Sequence, residues 1–454
     1  MISQYADKNY NIALFKDIPT DWEMKKIKYI AVLKGRIGWQ GLTSDEYTDE
    51  GAYLITGTDF DNGRINWDTC VRIPLERWKE AKDIQIVNGD LLITKDGTVG
   101  KVAIVDNLEE PCSLNSGVLR ISLKSEYDRR FLFWVLQSDV FWTWFANINA
   151  GNSTIIHLYQ GDFAEFIYAV PPLPEQLTIS SFLDVRCKWI KEIITDLELL
   201  VNLLQQYKKT IIADTVTKGL DQTAPMQDSG LEWVGKIPAH WSTKKFGFLF
   251  SLGKGLGITK ADLMDEGVPC VSYGEIHSRC GFEVNLSKHT LKCVDPKYLT
   301  LSPNSLLKFG DFVFADTSED VEGSGNFAYY SGREPLFAGY HTVVAKQITK
   351  HDPRYLAYLF DSVPWRAQIQ CKVQGITVYS ITQNILRKSV VLLPPTQEQM
   401  EIVEFLDSRI SVINSTLYEI ATQIEKLKEY RLAIISEAVT GKIRIDNISL
   451  EGQN

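Results

Sequence analysis

The chain has 454 residues, 44% of them hydrophobic and 23% charged, with 48 basic against 57 acidic side chains and a net charge of −9. That size and balance predict two or more domains with real cores, and exclude a wholly disordered, collagen-like or disulfide-stapled chain. The acidic total argues against indiscriminate coating of nucleic acid, while the lack of any run of about 18 apolar residues, or of an apolar leader, predicts a cytoplasmic protein that spans no membrane.

Taken along the chain, the first segment of note is Ile18-Pro19-Thr20-Asp21-Trp22 followed by Lys25-Lys26. It recurs 219 residues later as Ile237-Pro238-Ala239-His240-Trp241 with Lys244-Lys245. Next, β-branched and aromatic runs at 52–56, 91–94, 99–105 and 118–123 predict strands, punctuated by Asp61-Asn62-Gly63 and Asp96-Gly97. Within them Gly89-Asp90-Leu91-Leu92-Ile93 recurs as Gly310-Asp311-Phe312-Val313-Phe314, 221 residues on. A helix is predicted over 129–145. Then Pro171-Pro172-Leu173-Pro174-Glu175-Gln176 recurs at an offset of 223 as Pro394-Pro395-Thr396-Gln397-Glu398-Gln399. The same offset relates Phe182-Leu183-Asp184 to Phe405-Leu406-Asp407, Tyr207 to Tyr430, and Val216-Thr217 to Val439-Thr440. The second copy has predicted strands at 270–273, 312–315 and 343–348 and a helix over 353–369. The chain is therefore a duplication whose ends are kept and whose middles diverge.

After each Pro-Pro-x-x-Glu-Gln the pattern turns helical. Leu183, Ile190, Leu197, Leu204 and Ile211 are seven apart, with Arg186, Ile193, Leu200 and Tyr207 three after the first four. Leu406, Ile413, Ile420, Leu427 and Ile434 repeat the series. Five apolar heptad positions predict a coiled-coil seam, and two such rods in one chain are expected to pack on each other. The fold class is α+β: two pseudo-repeated α/β domains at 1–172 and 221–395, long helices at 173–220 and 396–445, and a tail at 446–454.

Catalytic signatures are missing. Neither Pro-Pro pair is preceded by Asp or Asn or followed by an aromatic residue, as a methyltransferase acting on exocyclic amines would require. Gly253, Gly255 and Gly257 do not form a GxGxxG, and Gly97-Thr98-Val99-Gly100-Lys101 is too short for a phosphate loop. Asp68, Glu80 and Lys82 are a loose nuclease-like triple with no equivalent in the second copy. The seven cysteines contain no CxxC, and Cys270, His277, Cys280, His289 and Cys293 are spaced too loosely for zinc, so they read as reduced thiols and no metal is expected. His157 and His341 fall near loops without a nucleophile partner.

The twice-repeated order of Ile-Pro-x-x-Trp, Gly-Asp-Leu/Phe and Pro-Pro-x-x-Glu-Gln before a long helix resembles the specificity subunit of type I restriction–modification systems, over about residues 15 to 445. Thr440-Gly441-Lys442 resembles the family's ending, and Thr217-Lys218-Gly219 is a less faithful copy. The resemblance implies that each globular part is a target recognition domain for one half of a bipartite, asymmetric site in double-stranded DNA. It implies helices forming an antiparallel spacer, and two methyltransferase subunits docked on them with S-adenosylmethionine. Two restriction subunits would bring ATP- and Mg²⁺-dependent translocation and cleavage. The chain itself would be non-catalytic and bind no cofactor.

Loops are where DNA contacts are expected. In the first copy these are Lys34, Arg36, Trp39 and Gln40, then Lys95, Asp96, Thr98 and Lys101, then Asn152 and Thr154. In the second they are Lys254, Thr259 and Lys260, then Thr317 and Ser318, then Gln374 and Thr377. Arg and Lys suit phosphates or guanine, and Gln suits adenine. Charge is evenly balanced over 171–220, −6 over 1–170 and only +1 over 221–393, so local patches are expected, with partners supplying further cationic surface. The competing readings are a self-contained DNA methyltransferase or nuclease, and a two-domain adaptor that binds only protein.

Overall fold

The computed structural model describes residues 18–36, 42–150, 156–375 and 377–445. It divides into two compact units, Met1–Leu197 with Ala421–Asn454, and Glu198–Ile420. The long helices run over Leu173–Lys218 and Thr396–Val439. Each unit thus takes one globular part, the start of the helix that follows it and the end of the other helix. A division of the chain at 172 and 220 misses this sharing.

In the first unit an antiparallel sheet has the order Ala31–Gly35, Val118–Leu123, Leu91–Thr94, Val102–Ile104. A second sheet places Ala52–Ile55 between antiparallel Val71–Ile73 and parallel Cys112–Leu114. The strand Leu91–Thr94 is buried at every position. Its alternate side chains serve two cores: Leu91 and Ile93 pack with Phe131 and Phe166, while Leu92 packs with Ile55 and Leu114. The second unit repeats this. Its five-stranded sheet runs Phe250–Lys254, Thr342–Gln347, Phe312–Ala315, Phe327–Tyr330, Phe282–Val284. Phe312 and Phe314 face one core and Val313 the other. The Gly-Asp before each strand closes a turn. Gly89 and Gly310 have φ of +89° and +84°, and the Asp90 and Asp311 carboxylates accept from Val87 N and Lys308 N, each at 2.9 Å.

The repeated motifs meet in space. Trp22 and Trp241 are buried, and each donates its indole N–H to the Glu of Pro-Pro-x-x-Glu-Gln, Glu175 and Glu398, at 3.0 Å. The following glutamines, Gln176 and Gln399, donate to Pro171 O and Pro394 O (2.8 and 2.9 Å). They accept from the backbone N–H of Asp128 and Asp352 (2.8 and 3.0 Å). Those aspartates cap the helices Arg129–Val135 and Pro353–Asp361, whose Arg130 and Arg354 each make paired bonds to Asp184 and Asp407 of the long helices. The helices expected as single at 129–145 and 353–369 are each two, restarted at Asp139 and Val363, because Ser138 and Ser362 turn their hydroxyls onto fresh N-termini.

Within the first unit, Leu183 and Cys187 share a core with Ile434, Ile435 and Ala438. Within the second, Ile212 and Val216 share one with Ile402, Leu406 and Ile410, and Lys208 Nζ donates to Asn414 Oδ1 at 2.9 Å. In both units the start of one long helix therefore meets the end of the other, the antiparallel pairing expected. Leu183, Ile190, Leu406, Ile413, Ile420 and Ile434 are buried, and Leu197, Leu204, Ile211 and Leu427 half-buried. The companion row is not the one three residues on: Leu200 and Tyr207 are 42% and 52% exposed. It falls four residues on, at Cys187 and, in the second helix, Ile410 and Ile424, because a heptad seam alternates steps of three and four.

Candidate nucleic-acid interface

The cross-strand register puts Gly35, Thr94 and Val118 at one end of the first unit's sheet. The parallel pair Ile55 and Leu114 ends on the same side, where Thr98 Oγ1 reaches Gly57 O at 3.5 Å. Loops 56–58, 95–100, 115–117 and 157–160 therefore form one surface. Lys95 is its hub: its N–H donates to Gly117 O at 2.8 Å and its carbonyl accepts from Leu158 N at 3.0 Å. The Asp96 carboxylate contacts Nδ1 of His157, whose ring lies 4.3 Å from that of the exposed Tyr159. Thr98 and Lys101 are exposed around this hub.

The second unit has the same backbone frame. Asp316 stands where Lys95 does: its N–H donates to His341 O at 3.1 Å and its carbonyl accepts from Ile381 N at 2.8 Å. The side chains differ. A 630 Å³ groove opens here, lined by Tyr273, His277, Thr317, Ser318, Asn326 and His341. The His277 ring bridges Thr317 O through Nε2 and Asn326 Nδ2 through Nδ1, both at 2.8 Å. His341 is exposed, adopts a left-handed φ of +53°, and packs edge-on to Tyr273 at 5.4 Å. That conformation is sparsely populated for a residue with a Cβ, and such residues cluster at functional sites.

The remaining expected contacts divide plainly. Lys34 reaches Asp83 at 3.3 Å. Arg36 is only 5% exposed; it donates to Leu114 O and Ser113 Oγ, and burial, then the Arg77 charge, lowers its pKa to about 10. It belongs to the core because its fork satisfies the end of a buried strand. Trp39, Gln40, Asn152 and Thr154 lie outside the described residues. Lys254 and Lys260 are exposed, while Thr259 bonds Asp262 in a capping box. Thr317 and Ser318 pair with Ser380 and Tyr379 respectively, Ser318 being buried, and Gln374 and Thr377 are exposed on that edge. Tyr159, Tyr273, Asn326 and Tyr340 were not singled out. Their signal is position: Tyr273 and Tyr340 come two residues after a buried strand, at the sheet end that the loops share.

Among the described residues no three His, Cys, Asp or Glu side chains are placed to hold a metal ion. Glu80 bonds Arg77 at 3.1 Å. Cys270 and Cys280 lie in different cores, while His277 faces the groove. Among the described residues no helix is long and apolar enough to cross a membrane.

The family model for the type I restriction modification DNA specificity domain matches twice, over residues 19–199 and 238–426. The chain is 24% identical to a putative type I restriction enzyme MjaX specificity subunit of Methanocaldococcus jannaschii, covering 98% of this chain and 99% of the relative. It is 21% identical to the EcoKI specificity subunit of Escherichia coli, covering 94% and 90%. Its fold matches a chain from a type I R-M system complex with a TM-score of 0.70 at 15% identity, covering 94% of this chain and all of that one. It also matches the HsdS subunit of Thermoanaerobacter tengcongensis with a TM-score of 0.57 at 15% identity, covering 94% and 98%.

Proposed function

This chain belongs to the type I restriction–modification DNA specificity family, and we propose that it supplies recognition, and no catalysis, to a multisubunit DNA methyltransferase and endonuclease. Each sheet-end surface reads one half of a bipartite, asymmetric duplex site. The observation that carries this is the shared frame with exchanged chemistry: Lys95, Asp96 and His157 in one unit, Asp316, Thr317 and His341 in the other. Identical frames place side chains equivalently against a groove, and different side chains there select different bases.

The paired helices set the gap between half-sites and dock two methyltransferase subunits, which bind S-adenosylmethionine; two restriction subunits bring ATP and Mg²⁺ chemistry. No cofactor is assigned to this chain. Methylating a base requires taking it out of the stack, so partner subunits grip and flip while this chain holds register. They also supply cationic surface beyond the local patches of a chain of net charge −9. The complex works on cytoplasmic DNA. The test is methylome sequencing of a host with and without this reading frame, expecting one split motif that depends on it. Sequence-specific methylation or cleavage by the purified chain alone would overturn the reading.

A further inference from the structure

At the other end of the second unit's five-stranded sheet from the recognition loops, three large apolar side chains stand in water. Phe248 precedes Phe250–Lys254, Phe309 precedes Phe312–Ala315, and Ile348 follows Thr342–Gln347; they are 69%, 63% and 61% exposed. They are neighbours. Ile348 N donates to Leu249 O at 2.9 Å, and Ile348 and Phe309 line one 400 Å³ groove with Lys350 and His351. Phe248 lines the adjacent 540 Å³ groove with Lys244 and Lys245, and the Lys244 charge helps lower the His351 pKa, after burial.

The rim is cationic. Lys244, Lys245, Lys308 and Lys350 are exposed, and among the described residues none has a carboxylate at ion-pair distance. The nearby acids are turned inward: Asp311 accepts from Lys308 N and Asp352 caps a helix. Among the described residues the first unit keeps only part of this face: Tyr29, in the place of Phe248, is 60% exposed. Its corresponding lysines, Lys25 and Lys26, are paired with Glu23 and Glu165, and Asn88 and Lys124 replace Phe309 and Ile348.

We infer that this face docks an acidic segment of a partner protein subunit that inserts apolar side chains between the lysines. Exposed aromatic and aliphatic side chains clustered within a charged rim are the pattern of a protein interface. A duplex lying on the recognition loops is a strand length of roughly 17–20 Å away, so phosphate does not account for the lysines. The apolar centre gives affinity and the lysines give orientation and sign. The replacement of two of the three apolar side chains in the first unit, and the ion pairs of the lysines there, make this contact one-sided. The inference rests on the reading that the chain works in a complex.

The test places the photocrosslinker p-benzoylphenylalanine at Phe248 in the purified complex of full-length chain, methyltransferase and restriction subunits, with and without duplex DNA. The expected product is a crosslink to an acidic segment of one partner subunit. Lys244→Glu/Lys245→Glu should weaken that subunit's retention about tenfold or more, leaving the methylated sequence unchanged. A crosslink to DNA, or no crosslink together with unaltered retention in the double variant, would overturn it. Wild-type methylation of one split motif, measured in the same preparation, tests the recognition reading separately.

Discussion

The buried glutamine of each Pro-Pro-x-x-Glu-Gln gives the sharpest structural test. Gln399 is fully buried and joins three segments: it donates to Pro394 O, accepts from Asp352 N, and lies 3.3 Å from His351 Nδ1. Gln399→Leu keeps the volume but leaves a buried carbonyl and a half-buried N–H without their partners. At about 1–3 kcal/mol for each orphaned group, and with partial relaxation, a loss of about 3 kcal/mol is expected. In a unit of this size about 1 kcal/mol moves Tm by roughly 2–4 °C, so the shift should be about 6–12 °C. Gln176→Leu should do the same to the first unit, where Gln176 binds Pro171 O and Asp128 N. Differential scanning calorimetry of the two single variants and their double should show each lowering a different transition. Shifts below about 2 °C in both variants, or both variants acting on one transition, would refute the idea that this motif stitches each helix to its own domain.

Other consequences are as direct. Arg36→Met should reduce stability by about 2–3 kcal/mol through two orphaned acceptors and leave the recognised sequence unchanged, as read by urea unfolding and methylome sequencing. Gly441 has φ +71°, and a Cβ there would lie 2.4 Å from Pro19 Cδ. Gly441→Ala should therefore cost the first unit more than about 1 kcal/mol, with the second unit's transition unmoved. His351 is held neutral, its pKa lowered by burial and then by Lys244. Protonation is disfavoured in the fold, so stability is full above the unfolded value near 6.5. It falls as the pH drops through that value toward the lower folded one. Tm measured between pH 7.5 and 5.5 should fall less for His351→Gln than for the parent, and an NMR titration placing His351 above 6.5 would contradict the sign.

The duplicated scaffold was legible because its restraints are local and repeated. Trp22, Glu175 and Gln176 recur as Trp241, Glu398 and Gln399 since each copy makes the same bonds, and the heptads of Leu183 and Leu406 follow from helix geometry. The sharing of each long helix between two units was not legible. It depends on where Gly219 and Gly441 set the helix ends down, against Trp241 and Pro19. The recognition surface was legible only as a set of loops. Composition marked Arg36 as a DNA contact, but its guanidinium is spent inside on Ser113 and Leu114. Tyr273 and Tyr340 carry no motif; only the register of Ala315 with Thr342 and of Val271 with Ala338 brings them beside His341.

The central claim is that two equivalent frames, differently furnished, each read one half of the DNA site. Methylome sequencing of hosts carrying His341→Ala/Tyr273→Ala, or Lys95→Ala/Thr98→Ala, tests it most directly. Each pair should relax one half of the motif, at a cost of about 1–3 kcal/mol per lost base contact, and leave the other half and the gap intact. A motif unchanged by both variants, or altered in the same half by both, would contradict it.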